Sequence, residues 1–464
     1  MNNPYLSGVY TPVDGERTYL DLPVEGEVPV DLCGSYVQNS ANPRFAPAGP
    51  YHWFDGDGMV HGVHFAEGRA SYRNRWIATG GLARDLEAGK ATHPGILEPI
   101  DPDLPGGPDK DTANTDVSFH GGRMLATWWL GGTPQQLSLP DFESTGEFRP
   151  TGLPCGIASH AKVDPRTGEL VFFDYELYGE PALWFGAIGP GGEVLAAERI
   201  PLERPSLLHD IAITERFTVL FDFPMYWDPE RLRRGQRRVR FDPEGVTRFG
   251  IAPRRGPASE VRWFEASGCY MYHAINAWEE VNGAGETEVV VIGCRIANPV
   301  PTRPHGEELH IPRLLLLRLA PVLYEWRLNL DTGSVAERQL DDVYGEFPRG
   351  NDTVLGMPSR YSYIPKIAAA PTLMFDGVSK FDRQTGTARR LEFGPGMVGG
   401  ELSYAPRPGA VDEDDGWLLG FVHDRREASS ALWVIDAGEL RPVAKVPIPD
   451  RVPFGFHSDW AAHG

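Results

Sequence analysis

Hydrophobic positions along this chain come in short runs. Segments of roughly four to eight residues rich in Val, Ile, Tyr, Phe and Trp alternate with glycines and prolines spread evenly through the sequence, which is the pattern of strands joined by turns. Helical periodicity is confined to residues 81–92 and a short piece over 228–235, and both read as excursions from a β framework. One turn recurs. Asp164-Pro-Arg-Thr-Gly168, Asp331-Thr-Gly333 and Asp382-Arg-Gln-Thr-Gly386 each follow one apolar run and precede another, with glycine supplying the positive φ that a tight hairpin requires. Hairpins of one repeated design with no intervening linker favour radial repetition, a β-propeller, over two independent sandwiches. The repeat does not fix the number of blades.

No shift of composition marks a boundary, so residues 1–464 are expected to form a single domain. The acidic stretch 411–416 reads as a solvated hairpin tip, and 231–240 as a basic surface turn. A formal charge of −20 repels phosphate backbones and anionic headgroups, which excludes nucleic acid as a partner. The first residues offer neither a basic nor an apolar signal region, and no window reaches the ~18 uninterrupted apolar residues of a spanning helix. The expectation is a cytoplasmic protein with at most peripheral membrane contact. The candidate contact patch is Leu314 to Leu317 with Leu319 and Val322, the alternative being a buried strand. Cys33, Cys155, Cys269 and Cys294 lie far apart with no C-x-x-C pair, so free and mostly buried thiols are expected.

The chemistry lies in the histidines. A lone histidine on an apolar strand is usually structural, so the case for His160, His209, His273 and His457 is collective. Each sits beside strand-like apolar residues, and their separations of 49, 64 and 184 residues are too long for a local metal loop. Such spacing suits a centre built from several blades converging on one axis. Imidazole suits iron, zinc, copper and nickel alike, so ligand type alone leaves the metal open. Four neutral imidazoles would leave the full charge on a divalent ion, and octahedral geometry would leave two positions for dioxygen beside an apolar substrate. Asp55-Gly-Asp-Gly58 lacks the remaining oxygens of a calcium loop and reads as a turn.

In combination and in order, Tyr51-His-Trp-Phe-Asp-Gly-Asp-Gly-Met-Val-His61, Ala113-Asn-Thr115, the four histidine motifs, Gly345-Glu-Phe-Pro-Arg349, Gly400-Glu-Leu-Ser-Tyr and Gly455-Phe-His-Ser-Asp-Trp460 resemble the carotenoid cleavage oxygenases over nearly the whole chain. This family of non-haem iron dioxygenases includes apocarotenoid- and lignostilbene-cleaving enzymes. The resemblance implies an all-β, seven-bladed propeller with an axial Fe(II), one per chain, and short helical or loop excursions capping the site. His160, His209, His273 and His457 would hold the metal, with Glu346 and Glu401 behind ligand histidines. Thr115 would crowd one open iron position with its methyl group, an ordinary Asn-Thr turn being the alternative. No catalytic residue beyond the iron centre is implied. The partners implied are O2 and an apolar conjugated alkene. Where many members carry a third glutamate, this chain reads Leu125-Ala-Thr-Trp128-Trp129-Leu130, so one ligand histidine needs another acceptor. Lignostilbene-cleaving relatives place a phenol-binding lysine there, so its absence tilts the expectation towards polyenes over stilbenes. Trp128, Trp129 and Tyr272 are candidates to line an apolar tunnel, with ordinary core as the alternative.

Overall fold

A computed structural model describes residues 3–101, 103–104, 106–300, 312–314 and 317–463. With 45% of residues in strands and 7% in helices the protein is all-β, as the short apolar runs require. The chain divides into two compact units, 1–149 with 230–237 and 391–464, and 150–229 with 238–390.

In the first unit, Arg17–Tyr19, Arg69–Trp76, Gly58–Ala66, Gly34–Ala41 and Ser458–Ala462 form one antiparallel sheet in that order. A second meander runs Asp116–His120, Arg123–Thr127, Gln135–Leu137 and Ser144–Glu147. A third group pairs Gly416–Asp424, Ser429–Asp436 and Arg441–Ile448, with Met397–Gly399 and Ser403–Pro406 sharing the other edge of Gly416–Asp424. Gly34–Ala41 is buried at every position although half of its residues are polar; Asn39 Nδ2 donates to the Ala113 carbonyl at 2.7 Å and Ser40 Oγ to the Met59 carbonyl at 2.9 Å, which satisfies both groups within the unit. The core joins Tyr36, Phe65 and Tyr72 to Trp417, Phe421 and Leu432, with the Phe421 ring edge-on to Tyr36 at 5.4 Å.

The second unit holds three four-stranded antiparallel meanders. They are Lys162–Val163 to Val194–Pro201, Ile211–Ile213 to Arg262–Ala266, and Tyr270–Val281 to Val335–Gln339. The recurring turns behave as the sequence demands: Gly168, Gly333 and Gly386 all have positive φ, and the Gly168 and Gly386 amides close onto Asp164 and Asp382 at 2.8 Å. The two helical stretches are Gly80–Ala88, capped by Thr79, and Pro229–Arg233.

Burial decides between the alternatives left open at the surface. Leu314, Leu317 and Leu319 are buried, in or beside the small hairpin Arg313–Leu314 and Leu317–Arg318, so they offer no collecting patch; Leu315 and Leu316 lie outside the described residues. The basic stretch is at the surface as expected, with Arg231, Arg233, Arg234, Arg238 and Arg240 exposed, and the Arg237 side chain alone among these is drawn in, ion-paired with Asp109. The acidic tip is as expected, with Val411 almost fully exposed. No helix among the described residues is long and apolar enough to cross a membrane.

Candidate metal centre

Each candidate histidine sits at the strand that ends its sheet's order. His160 lies two residues before Lys162–Val163, His209 two before Ile211–Ile213, His457 directly before Ser458–Ala462, and His273 within Tyr270–Val281. At His273 the register with Thr287–Ile296 shifts on both sides of Ala274, a bulge that re-aims the side chain. Opposite it, a Cβ on Gly293 would collide with Met271 Sδ and stand 3.0 Å from the His273 carbonyl oxygen, so a side chain there would crowd the bulge. His160 adopts a left-handed backbone with φ of +67°, uncommon for a residue with a side chain.

The rings of His160, His209 and His273 have centroids 4.9 to 5.1 Å apart. All four histidines are buried; His160, His209 and His273 stand together in one unit, and His457 belongs to the other. The three clustered rings can hold a metal ion. The cysteines do not compete. All four are free, and burial pushes the Cys155 thiol up to about 12 and the Cys269 thiol up to about 11, which keeps both protonated at neutral pH.

Two carboxylates fix the protonation of the rings. His273 Nδ1 lies 2.5 Å from Glu346 Oε2, and His457 Nδ1 lies 3.0 Å from Glu401 Oε1. A carboxylate only accepts, so each Nδ1 carries the hydrogen and each Nε2 keeps its lone pair for a metal. The carboxylates are held in turn: Glu346 Oε2 also accepts from the Phe347 amide at 2.6 Å, and Glu401 Oε2 accepts from the Ser458 amide at 2.5 Å and its hydroxyl at 3.1 Å.

Thr115 is buried, and its hydroxyl is committed on two sides, donating to Asn114 Oδ1 at 3.0 Å and accepting from the Trp129 amide at 3.1 Å. Its carbonyl accepts from the His457 amide at 3.2 Å. Trp129 is therefore two hydrogen bonds from His457. Trp128, Trp129 and Leu130 line an open cleft together with Tyr51 and Phe54. Tyr272 takes a different place, packing edge-on against the His209 ring at 5.0 Å.

Two residues that the motifs did not single out, Lys110 and Asp210, matter here. Lys110 lines the same cleft, and its ammonium is held by Asp57 at 2.5 Å and Asp85 at 2.6 Å. Asp210, buried directly after His209, binds Lys162 Nζ at 2.7 Å and accepts from the amides of Ile211 and Ala274 at 2.7 and 2.8 Å. Burial pushes the Asp210 carboxyl up, against the pull of Lys162 and His273. An acid inside Leu207-Leu-His-Asp-Ile-Ala-Ile213 has to find a partner, and that was the available signal.

Known proteins resemble this chain in sequence and in fold. The profile of the family described as retinal pigment epithelial membrane protein, RPE65, matches residues 10–462. The carotenoid 9,10(9′,10′)-cleavage dioxygenase 1 of Phaseolus vulgaris is 33% identical, covering 98% of this chain and 88% of its own. The crystal structure of Pseudomonas brassicacearum lignostilbene dioxygenase superposes with a TM-score of 0.88 at 28% identity, covering 99% of both chains. A structure of a Synechocystis apocarotenoid oxygenase mutant gives 0.85 at 25% identity, covering 98% of each. The fold is the seven-bladed propeller of those structures.

Proposed function

Because the chain belongs to the RPE65 or carotenoid oxygenase family, we propose that it is an Fe(II)-dependent dioxygenase that cleaves a conjugated C=C bond of a carotenoid or apocarotenoid. The reaction adds both atoms of O2 across the double bond and releases two carbonyl products, one oxygen in each. The observation that carries this reading is the cluster of buried His160, His209 and His273 in one unit, with the Nδ1 of His273, and that of buried His457, each held by a glutamate. His160, His209, His273 and His457 would hold one iron, which when bound supplies the activation of O2. Neutral imidazoles with fixed tautomers suit that ion, and Glu346 and Glu401 keep the ring protons in place. With its hydroxyl tied to Asn114 and Trp129, Thr115 has only its methyl group left to limit access at an open position. Trp128, Trp129, Phe54 and Leu130 would offer the apolar wall for a conjugated chain in a cleft whose lining also carries Asp57, Asp85 and Lys110, and residues 1–464 would act as one functional domain.

A second reading, cleavage of a stilbene or other styrene-type bond, is favoured by the likeness to the lignostilbene dioxygenase structure and by the presence of Lys110 in the cleft. Against it, the charge of Lys110 is already matched by two aspartates. A propeller that only binds an apolar ligand would have no reason to keep four histidines and both glutamates. Incubating iron-loaded enzyme with an apocarotenal and with a hydroxystilbene, then identifying carbonyl products by mass, tests all three. Cleavage of the apocarotenal is expected. Cleavage of the stilbene alone would establish the second reading, and no product from either would favour the third.

A further inference from the structure

Three histidine-bearing segments of one unit meet at a single carboxylate that is not a ligand. Asp210 follows His209 directly. Its Oδ1 takes the ammonium of Lys162, two residues after His160, at 2.7 Å, and its Oδ2 takes the amide of Ala274, the residue after His273, at 2.8 Å. The Ile211 amide at 2.7 Å fixes the carboxylate to its own strand. The Asp210 side chain is 1% exposed, so these bonds are not traded for water. Each of the three neighbouring segments needs such a tie for its own reason. His160 stands on a left-handed backbone, His209 precedes its strand in an irregular stretch, and His273 rides on a bulge where the ladder is interrupted. None of the three is placed by regular strand pairing alone.

We propose that Asp210, with Lys162, is a positioning residue that sets the mutual spacing of His160, His209 and His273 for a divalent metal. The inference rests on the reading of the histidines as metal ligands. Asp210 touches neither substrate nor metal in this role; it acts by registering three backbones against one another.

The test is Co²⁺ titration of the metal-free full-length chain, followed by affinity and by the visible ligand-field spectrum. The variants are Asp210→Ala, Lys162→Met and their combination. Arg254→Met, which breaks a different buried ion pair to Asp164 in the same unit, serves as the control for general destabilisation. Asp210→Ala is expected to weaken Co²⁺ binding ~10 to 100-fold, the range typical of residues that orient metal ligands, and to alter the spectrum. Lys162→Met leaves the two amide bonds in place and should weaken binding less, and the double variant should be no worse than Asp210→Ala alone. Arg254→Met should lower the melting temperature while keeping affinity and spectrum. Wild-type affinity and spectrum in folded Asp210→Ala would overturn the proposal. Should that variant not fold, Lys162→Met decides, and unchanged binding there overturns it. Absence of Co²⁺ binding by the unaltered chain would instead remove the metal-site reading on which the proposal stands.

Discussion

His273 and His457 are each backed by a buried glutamate, yet the two carboxylates are anchored differently. At His273 a single oxygen of Glu346 accepts both the ring N–H and the Phe347 amide. At His457 the two oxygens of Glu401 divide the work, one taking the ring and the other taking the Ser458 amide and hydroxyl. An amide in place of Glu346 can keep its oxygen on the side that accepts both of these bonds. An amide in place of Glu401 must turn its NH2 towards an N–H donor whichever way it lies. Two residues with one role in the motif are therefore not equally replaceable, and the acceptor geometry, not the distance to the histidine, decides which tolerates change.

The largest effect should come from the rings themselves. His457→Ala and His273→Ala are each expected to abolish turnover and to lower bound iron measured by mass spectrometry of the metal content; full activity in either would remove that histidine from the site. Next, Glu401→Gln should cost ~10 to 100-fold in kcat/KM or in iron affinity. Glu346→Gln should fall at or below the lower end of that range, retaining more activity than Glu401→Gln under the same iron supply. A reversed order would show that the paired acceptance at Glu346 is not what governs tolerance. The smallest effect concerns the cleft. Opposite charges ~4 Å apart at intermediate dielectric attract by about 4 kcal/mol before desolvation, so an unpaired lysine would strongly favour a phenolate. Lys110 already faces Asp57 and Asp85. A 4-hydroxystilbene should then exceed its O-methyl ether in kcat/KM by less than about tenfold, equivalent to ~1.4 kcal/mol, and an apocarotenal should be turned over at least as well. A hundredfold preference for the free phenol would mean that Lys110 exchanges its aspartates for substrate.

The sequence carried the parts of this protein whose cause is local. Gly168, Gly333 and Gly386 announce hairpins because a positive φ after a short polar run has few other uses, and the three turns form where expected. Glu346 and Glu401 were named from motifs and stand against histidine rings. What could not be read depends on which segments become neighbours. The partners of Lys110 come from residues 57 and 85, and Asp210 meets Lys162 and Ala274 only through the placing of three sheets. The apolar run at Leu314 to Leu319 looks the same in sequence whether it faces lipid or core, and burial decided for core at Leu314, Leu317 and Leu319. The two compact units interleave along the chain, with residues 230–237 belonging to the unit built from the termini, so no change of composition could have marked them.

The left-handed backbone of His160 has an evolutionary consequence. For a residue with a side chain that conformation costs about 1 to 3 kcal/mol, and the residues that best tolerate it are glycine and asparagine. Neither supplies an imidazole. Backbone stability therefore favours glycine or asparagine at this position, whereas a ring nitrogen at the site requires histidine. Without metal, His160→Asn is expected to melt at or above the unaltered chain, whereas with metal the order should invert. A lineage that lost its substrate would be freed to relax at this position, and its backbone would gain what its chemistry gave up.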